Sequence, residues 1–201
     1  MLTIIGDVHG KYDHYRELIR KNEDHSYTIQ LGDFGFKYET LKNVDHTKHL
    51  IIGGNHDNYD ICYNYPHFLP DYGYMVNFNG VDFFYYRGAY SIDRQDRTIG
   101  INWWEQEQVT IDHFMKAREL YREIKPDIVL THDCPDFMVR NYIGPYGRIY
   151  ENITNWALGE LYKIHQPKLW IHGHHHQSKT TVYGKTKFVC VDELETHTIL
   201  V

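Results

Sequence analysis

The sequence predicts an α/β fold in which two β-sheets pack face to face and helices cover the outside. Three observations carry this expectation. Five short apolar runs, LTIIGDVHG, YTIQLGDFG, HLIIGGNHD, DIVLTHD and LWIHGHHH, each read as a buried strand that ends in a polar Gly, Asp or His cluster. Helix-like stretches lie between them, and strands alternating with helices imply a largely parallel central sheet with ligand sites at strand carboxyl ends. Two hairpins and a final strand, ETHTILV, then require a second sheet packed on the first.

The elements follow in order. After the first strand, Tyr12 to Lys21 reads as a helix. The segment Gly73 to Arg87 folds back around Asn79-Gly80, a dipeptide suited to a tight hairpin turn. In Thr110 to Lys125, Ile111, Phe114, Tyr121 and Ile124 keep a roughly helical period, with Thr110 as N-cap and Pro126 closing the helix. Another helix runs from about Thr154 to His165, before Pro167. The second hairpin, Thr180 to Val191, turns at Gly184-Lys185. Without a linker, repeat or low-complexity tract, residues 1–201 are expected to form a single domain.

Composition narrows the function. A net charge of -6 and a pI near 6.2 argue against a broad basic face, so nucleic acid is a disfavoured partner. The opening MLTIIGDVHG lacks a basic start followed by a long apolar run, and no run reaches the roughly 18 apolar residues of a membrane span; a soluble cytoplasmic protein is expected, with no membrane partner. Cys62, Cys134 and Cys190 lack CxxC spacing and read as buried free thiols. The 15 histidines stand out, because imidazole is the commonest metal ligand.

Asp7-Val8-His9 follows the first strand, and alternate residues of an extended segment would aim a carboxylate and an imidazole at one point. Asp33 ends the second strand. Gly54-Asn55-His56-Asp57 ends the third: Asn55 offers a neutral oxygen to a cation, while His56 can face a substrate with Asp57 orienting its ring. His132 follows DIVLT, and in the run His174-His175-His176 the outer two would share one side. Taken singly, each piece also reads as a cap, an Asx turn or a solvated loop.

Taken in order, D-x-H, G-D, G-N-H-D, H and G-H-x-H, spanning Asp7 to His176, resemble the calcineurin-like metallophosphoesterase family in its bacterial and phage branch. The resemblance implies a two-sheet β-sandwich flanked by helices in αββα layers. It also implies two divalent metal ions, one held by Asp7, His9, Asp33 and His176, the other by Asp33, Asn55, His132 and His174. All these donors are nitrogen or oxygen, which suits manganese, the favoured ion, or iron, zinc or nickel. The implied reaction is hydrolysis of a phosphate mono- or diester, a nucleotide or other small phosphorylated substrate, by a metal-bridged hydroxide. His56 would be the general acid, its imidazolium favoured by Asp57.

The stretch Gly88-Ala89-Tyr90-Ser91-Ile92-Asp93-Arg94-Gln95-Asp96-Arg97, followed by Trp103-Trp104-Glu105, also resembles this branch. Arg94 and Arg97 join Asn55 as candidates to bind substrate phosphate, unless they form ion pairs with Asp93, Asp96 or Glu105. The two tryptophans read as packing rather than a stacking platform. One departure is that Gly32-Asp33-Phe34-Gly35 lacks the Asp-Arg of the phosphoprotein phosphatase branch, which demotes that activity. The same motifs are also compatible with a nuclease that uses this site and with a binding module that keeps the fold without catalysis.

Overall fold

The computed structural model describes residues 1–21, 27–145, 147–148, 150 and 152–200. The chain begins β1 (Leu2–Ile5), α1 (Tyr12–Arg20), β2 (Tyr27–Gln30) and β3 (His49–Ile51). The hairpin β4 (Tyr72–Phe78) and β5 (Val81–Tyr86) precedes α2 (Ile111–Ile124), β6 (Ile128–Thr131), α3 (Asp136–Ile143) and α4 (Ile153–Ile164). It ends with β7 (Leu169–His172), β8 (Lys179–Tyr183), β9 (Thr186–Cys190) and β10 (Thr196–Ile199).

These strands form a four-stranded sheet, β10-β1-β2-β3, and a six-stranded sheet, β4-β5-β6-β7-β9-β8. The five motif-bearing runs therefore do not share one central sheet. β1 to β3 run parallel in the first sheet, and β6 and β7 run parallel in the second. The hairpin between β3 and β6 makes the division: β5 pairs parallel with β6, Phe84 opposite Val129, so the chain has changed sheets before β6 is reached. β10 returns antiparallel to β1.

Strand alternation builds three apolar layers. Leu2 and Ile4 of β1, Phe83 and Tyr85 of β5, Leu130 of β6 and Ile171 of β7 fill the space between the sheets. The intervening residues Phe84, Tyr86, Val129 and Trp170 face outward under α2, α3 and α4, meeting Phe114, Tyr121, Met138 and Leu158. Ile5 faces the other way, onto Tyr15 and Ile19 of α1 and Phe34, Tyr38 and Phe68 of the loops. Each such side chain contributes roughly 1.5–3 kcal/mol of burial, which is why strands apolar on both faces are covered by the other sheet on one side and by helices or loops on the other.

Local signals fix the helix ends. Thr110 caps α2 by accepting the His113 N–H at 3.2 Å, and Lys125 ends it in the left-handed conformation before Pro126. Asn152 caps α4 by accepting the Asn155 N–H at 2.8 Å. No helix among the described residues is long and apolar enough to cross a membrane. All three cysteines are free and buried, as their spacing predicts.

Candidate metal centre

The loops after β1, β2, β3, β6 and β7 carry all seven predicted ligands, and the structure brings them together. Around His9 Nε2 lie His176 Nε2 at 2.9 Å, Asp33 Oδ2 at 3.6 Å and Asp7 Oδ2 at 3.7 Å, with His176 Nε2 3.0 Å from Asp7 Oδ2. Around His132 Nε2 lie Asn55 Oδ1 at 2.9 Å and Asp33 Oδ1 at 3.3 Å. The His174 ring stands 5.0 Å from that of His132, and Asp33, His132 and His174 can each turn a donor toward a common point. Asp33 thus directs one oxygen to each group. Donors about 2.1 Å from one ion lie roughly 3 Å apart around it, so these spacings fit cation coordination.

Local backbone conformation achieves the convergence. Four of the seven residues, His9 (φ 46°), Asp33 (φ 55°), His174 (φ 63°) and His176 (φ 48°), are left-handed, a conformation that non-glycine residues seldom adopt. The expected alternation along an extended segment therefore does not operate at His9 or in the His run; left-handed turns re-aim those side chains. Such strain costs on the order of 1–3 kcal/mol per residue and concentrates at functional sites. Gly54 and Gly173 leave room beside the carboxylates, since a Cβ there would sit 2.3 Å from Asp33 Oδ1 or Asp7 Oδ1 respectively.

The electrostatics match. Burial works against ionisation of Asp7 and Asp33, both essentially inaccessible, yet His176 and His9 for the first and His132 for the second hold their carboxyls well below the usual range. Burial likewise opposes charge on His132, but Asp33 and Asp7 raise it to about 10. Burial carries His174 down to about 4 against the pull of Asp133. Two buried carboxylates kept ionised by protonated imidazoles form a set in which a divalent cation would take the place of those protons.

His56 and Asp57 depart from expectation. Asp57 does not orient the His56 ring: it is fully buried and accepts the N–H groups of Gly54 (2.8 Å), Asp33 (3.0 Å), Phe34 (3.1 Å) and Gly35 (3.3 Å). Backbone N–H groups of the loops after β2 and β3 thus occupy both carboxylate oxygens, two on each, in place of the imidazole. Burial and the Asp33 charge push its carboxyl up to about 7, against the Gly54 and Gly35 N–H groups and the charge of His132. His56 instead donates its backbone N–H to Asp33 Oδ1 at 2.7 Å, and its ring Nε2 meets Arg97 at 2.5 Å. Burial lowers the His56 pKa and Arg97 adds to this, so the expected imidazolium is not favoured in this arrangement.

A cavity of about 420 Å³, within the range of small-molecule sites, opens over the cluster and is lined by His9, Asp33, Asn55, His56, Arg97 and His174 among others. Arg97 also pairs with Asp93 at 2.7 Å, so an ion pair and a place in the site coexist. Arg94 does not line the cavity; its guanidinium lies 4.7 Å from the Tyr90 ring centre. Trp104 packs in the core and donates to Asp60 at 2.8 Å. The sequence reading missed Asp133, which meets His175 Nε2 at 3.0 Å beside His174, and Glu107, the buried partner of Ser91, a residue of the family-like stretch to which it gave no role. Asp133 directly follows His132, and this adjacency was its signal; nothing in the spacing marks Glu107.

A family model described as calcineurin-like phosphoesterase matches residues 1–178. No curated protein matches the chain. Among solved structures, it is similar to a Staphylococcus aureus protein assigned as a 5'-nucleotidase, in complex with alpha-ketoglutarate: TM-score 0.55, 14% identity, 96% of this chain and 48% of that one. The chain thus spans about half the length of that relative. It is also similar to the phosphopantetheinyl hydrolase of Mycobacterium tuberculosis, with TM-score 0.51, 12% identity, and 96% and 89% of the two chains covered. At these identities the structural likenesses speak for the fold alone. The match over residues 1–178, on a two-sheet fold with its acidic and histidine loops gathered at one place, shows that the chain belongs to the calcineurin-like phosphoesterase family, a family of metal-dependent phosphoester hydrolases.

Proposed function

We propose that this protein hydrolyses a small phosphate mono- or diester at a two-metal centre, residues 1–201 acting as one domain. The observation that carries the reading is the pair of donor groups sharing Asp33. Asp7, His9, Asp33 and His176 would hold one ion, and Asp33, Asn55, His132 and His174 the other, with manganese favoured. When bound, such ions act as Lewis acids that lower the pKa of water and neutralise phosphate oxygens. A single domain is supported by β10, which pairs with β1 and so ties the end of the chain to its start. Three free thiols suit a reducing compartment, and we place the protein in the cytoplasm.

The chain's own residues then have distinct tasks. Arg97, held by Asp93 beside the cavity, supplies a guanidinium that can pair with a phosphate. Drawn onto the substrate, it leaves His56 Nε2, the acceptor of its N–H in the structure; the freed nitrogen takes a proton from solvent and passes it to the leaving oxygen. Asp57 keeps the two loops in place and takes no part in proton transfer. The net charge of -6 favours a small substrate over nucleic acid.

A metal-by-substrate screen tests the reading. The stripped protein, given manganese, nickel, zinc or iron, should hydrolyse p-nitrophenyl phosphate or bis-p-nitrophenyl phosphate, and chelator should abolish turnover. The preferred one of the two assigns monoesterase or diesterase chemistry. Failure of well-metallated protein on both, and on cyclic nucleotides, phosphopeptide and single-stranded oligonucleotides, would overturn it.

A further inference from the structure

An asparagine can serve as a cation ligand only through its carbonyl oxygen, because its amide nitrogen is a donor. At Asn55 the choice between the two ends is made by a chain of hydrogen bonds leading away from the centre. Asn55 Nδ2 donates to Ser91 Oγ at 3.0 Å, and Ser91 Oγ donates to Glu107 Oε2 at 2.5 Å. Glu107 also accepts the Ser91 N–H on Oε1 at 3.0 Å and is 1% exposed. A serine hydroxyl alone could donate to Asn55 or accept from it and would leave the amide undetermined. A carboxylate only accepts. It commits the single hydroxyl proton to Glu107, turns a lone pair toward Asn55, and leaves Asn55 Oδ1 facing His132 Nε2 at 2.9 Å.

We propose that Glu107, acting through Ser91, is a positioning residue that fixes the carbonyl end of the Asn55 amide toward the second cation position. This rests on the reading of Asn55 as a metal ligand. It also gives a task to the segment from Gly88 to Glu107. The Ala89 N–H donates to the Glu107 carbonyl at 3.1 Å, so the two ends of the segment are joined by backbone as well as by side chain. The segment then acts as a brace behind the loop after β3.

The test is calorimetric titration of manganese into the stripped full-length protein, with unfolding temperature followed for every variant. Asn55→Ala should weaken one of two ions. Glu107→Gln should weaken the same ion roughly 10- to 100-fold, the scale of outer-shell ligand support, while leaving the other unchanged. Ser91→Ala should do likewise, and stands in if Glu107→Gln does not fold. The decisive comparison places Glu107→Gln in an Asn55→Asp background. There a glutamine amide, still accepting from the Ser91 N–H, donates to Ser91 Oγ and releases the hydroxyl proton to the new carboxylate. The effect of Glu107→Gln on metal affinity should therefore change sign, a loss beside Asn55 and a gain beside Asp. Folded variants in which Glu107→Gln has no effect, or the same loss in both backgrounds, would overturn the proposal. If Asn55→Ala binds both ions with unchanged affinity, the ligand reading of Asn55 itself fails, an outcome separable from failure of Glu107 alone.

Discussion

His56 shows how much a single side chain depends on its surroundings. Its sequence neighbour Asp57 suggested a carboxylate-oriented imidazolium, but backbone amides claim that carboxylate and Arg97 claims the ring nitrogen. The proposed role of proton donor makes a prediction that depends on the leaving group. His56→Ala should retain its metal and lose about 10²- to 10⁴-fold in kcat on an alkyl phosphate ester. It should lose far less on p-nitrophenyl phosphate, whose leaving oxygen needs no proton. Equal losses on both substrates would remove His56 from proton transfer. The ligand residues themselves were legible because each ends an apolar run; the identity of their partners was not, since hydrogen-bond competition is decided by distances the sequence does not contain.

At the scale of elements, the loops after β2 and β3 are fastened together by Asp57. Replacing it with alanine leaves buried N–H donors of Asp33, Phe34, Gly35 and Gly54 without their acceptor. At about 1–3 kcal/mol for each unsatisfied donor, less any that water reaches, Asp57→Ala should cost at least about 3 kcal/mol, measured as a lowered midpoint of urea unfolding. A change below about 1 kcal/mol would show that the clamp is not needed. Strands, hairpins and three helices were readable from periodicity, caps and turn dipeptides. Helix α3 was not: Asp136–Ile143 spans eight residues, too few for a helical period to show, and Pro135 offers no capping side chain. The split of the parallel strands between two sheets was equally hidden, because a strand buried on both faces carries no mark of the sheet it joins.

For the whole molecule, stability should depend on pH through histidines remote from the metal centre. His49 and His67 are 7% and 4% exposed, and burial lowers the pKa of both. Asp45 opposes the shift at His49, and the Val44 carbonyl and then Asp45 oppose it at His67, while Lys48 and His67 reinforce it at His49 and His46 at His67. Their folded pKa values lie below the unfolded value near 6.5, so the unfolded chain binds more protons and stability falls as pH drops through that value. The difference in unfolding free energy between wild type and His49→Gln with His67→Gln, taken from urea curves, isolates their share from that of the other histidines and should decline between pH 8 and pH 5.5, by no more than about 1.4 kcal/mol per pH unit for each group. An unchanged slope in that double variant would assign the dependence elsewhere.

The central claim is that Asp33 joins two cation positions, one oxygen to each. Manganese bound per chain, measured by elemental analysis after stripping, reloading and desalting, tests it directly. The account predicts two ions in the wild-type protein and no more than one in Asp33→Ala, with Asp7→Ala and His132→Ala each losing one. A wild-type protein that holds no manganese, or an Asp33→Ala protein that still holds two ions, would contradict it.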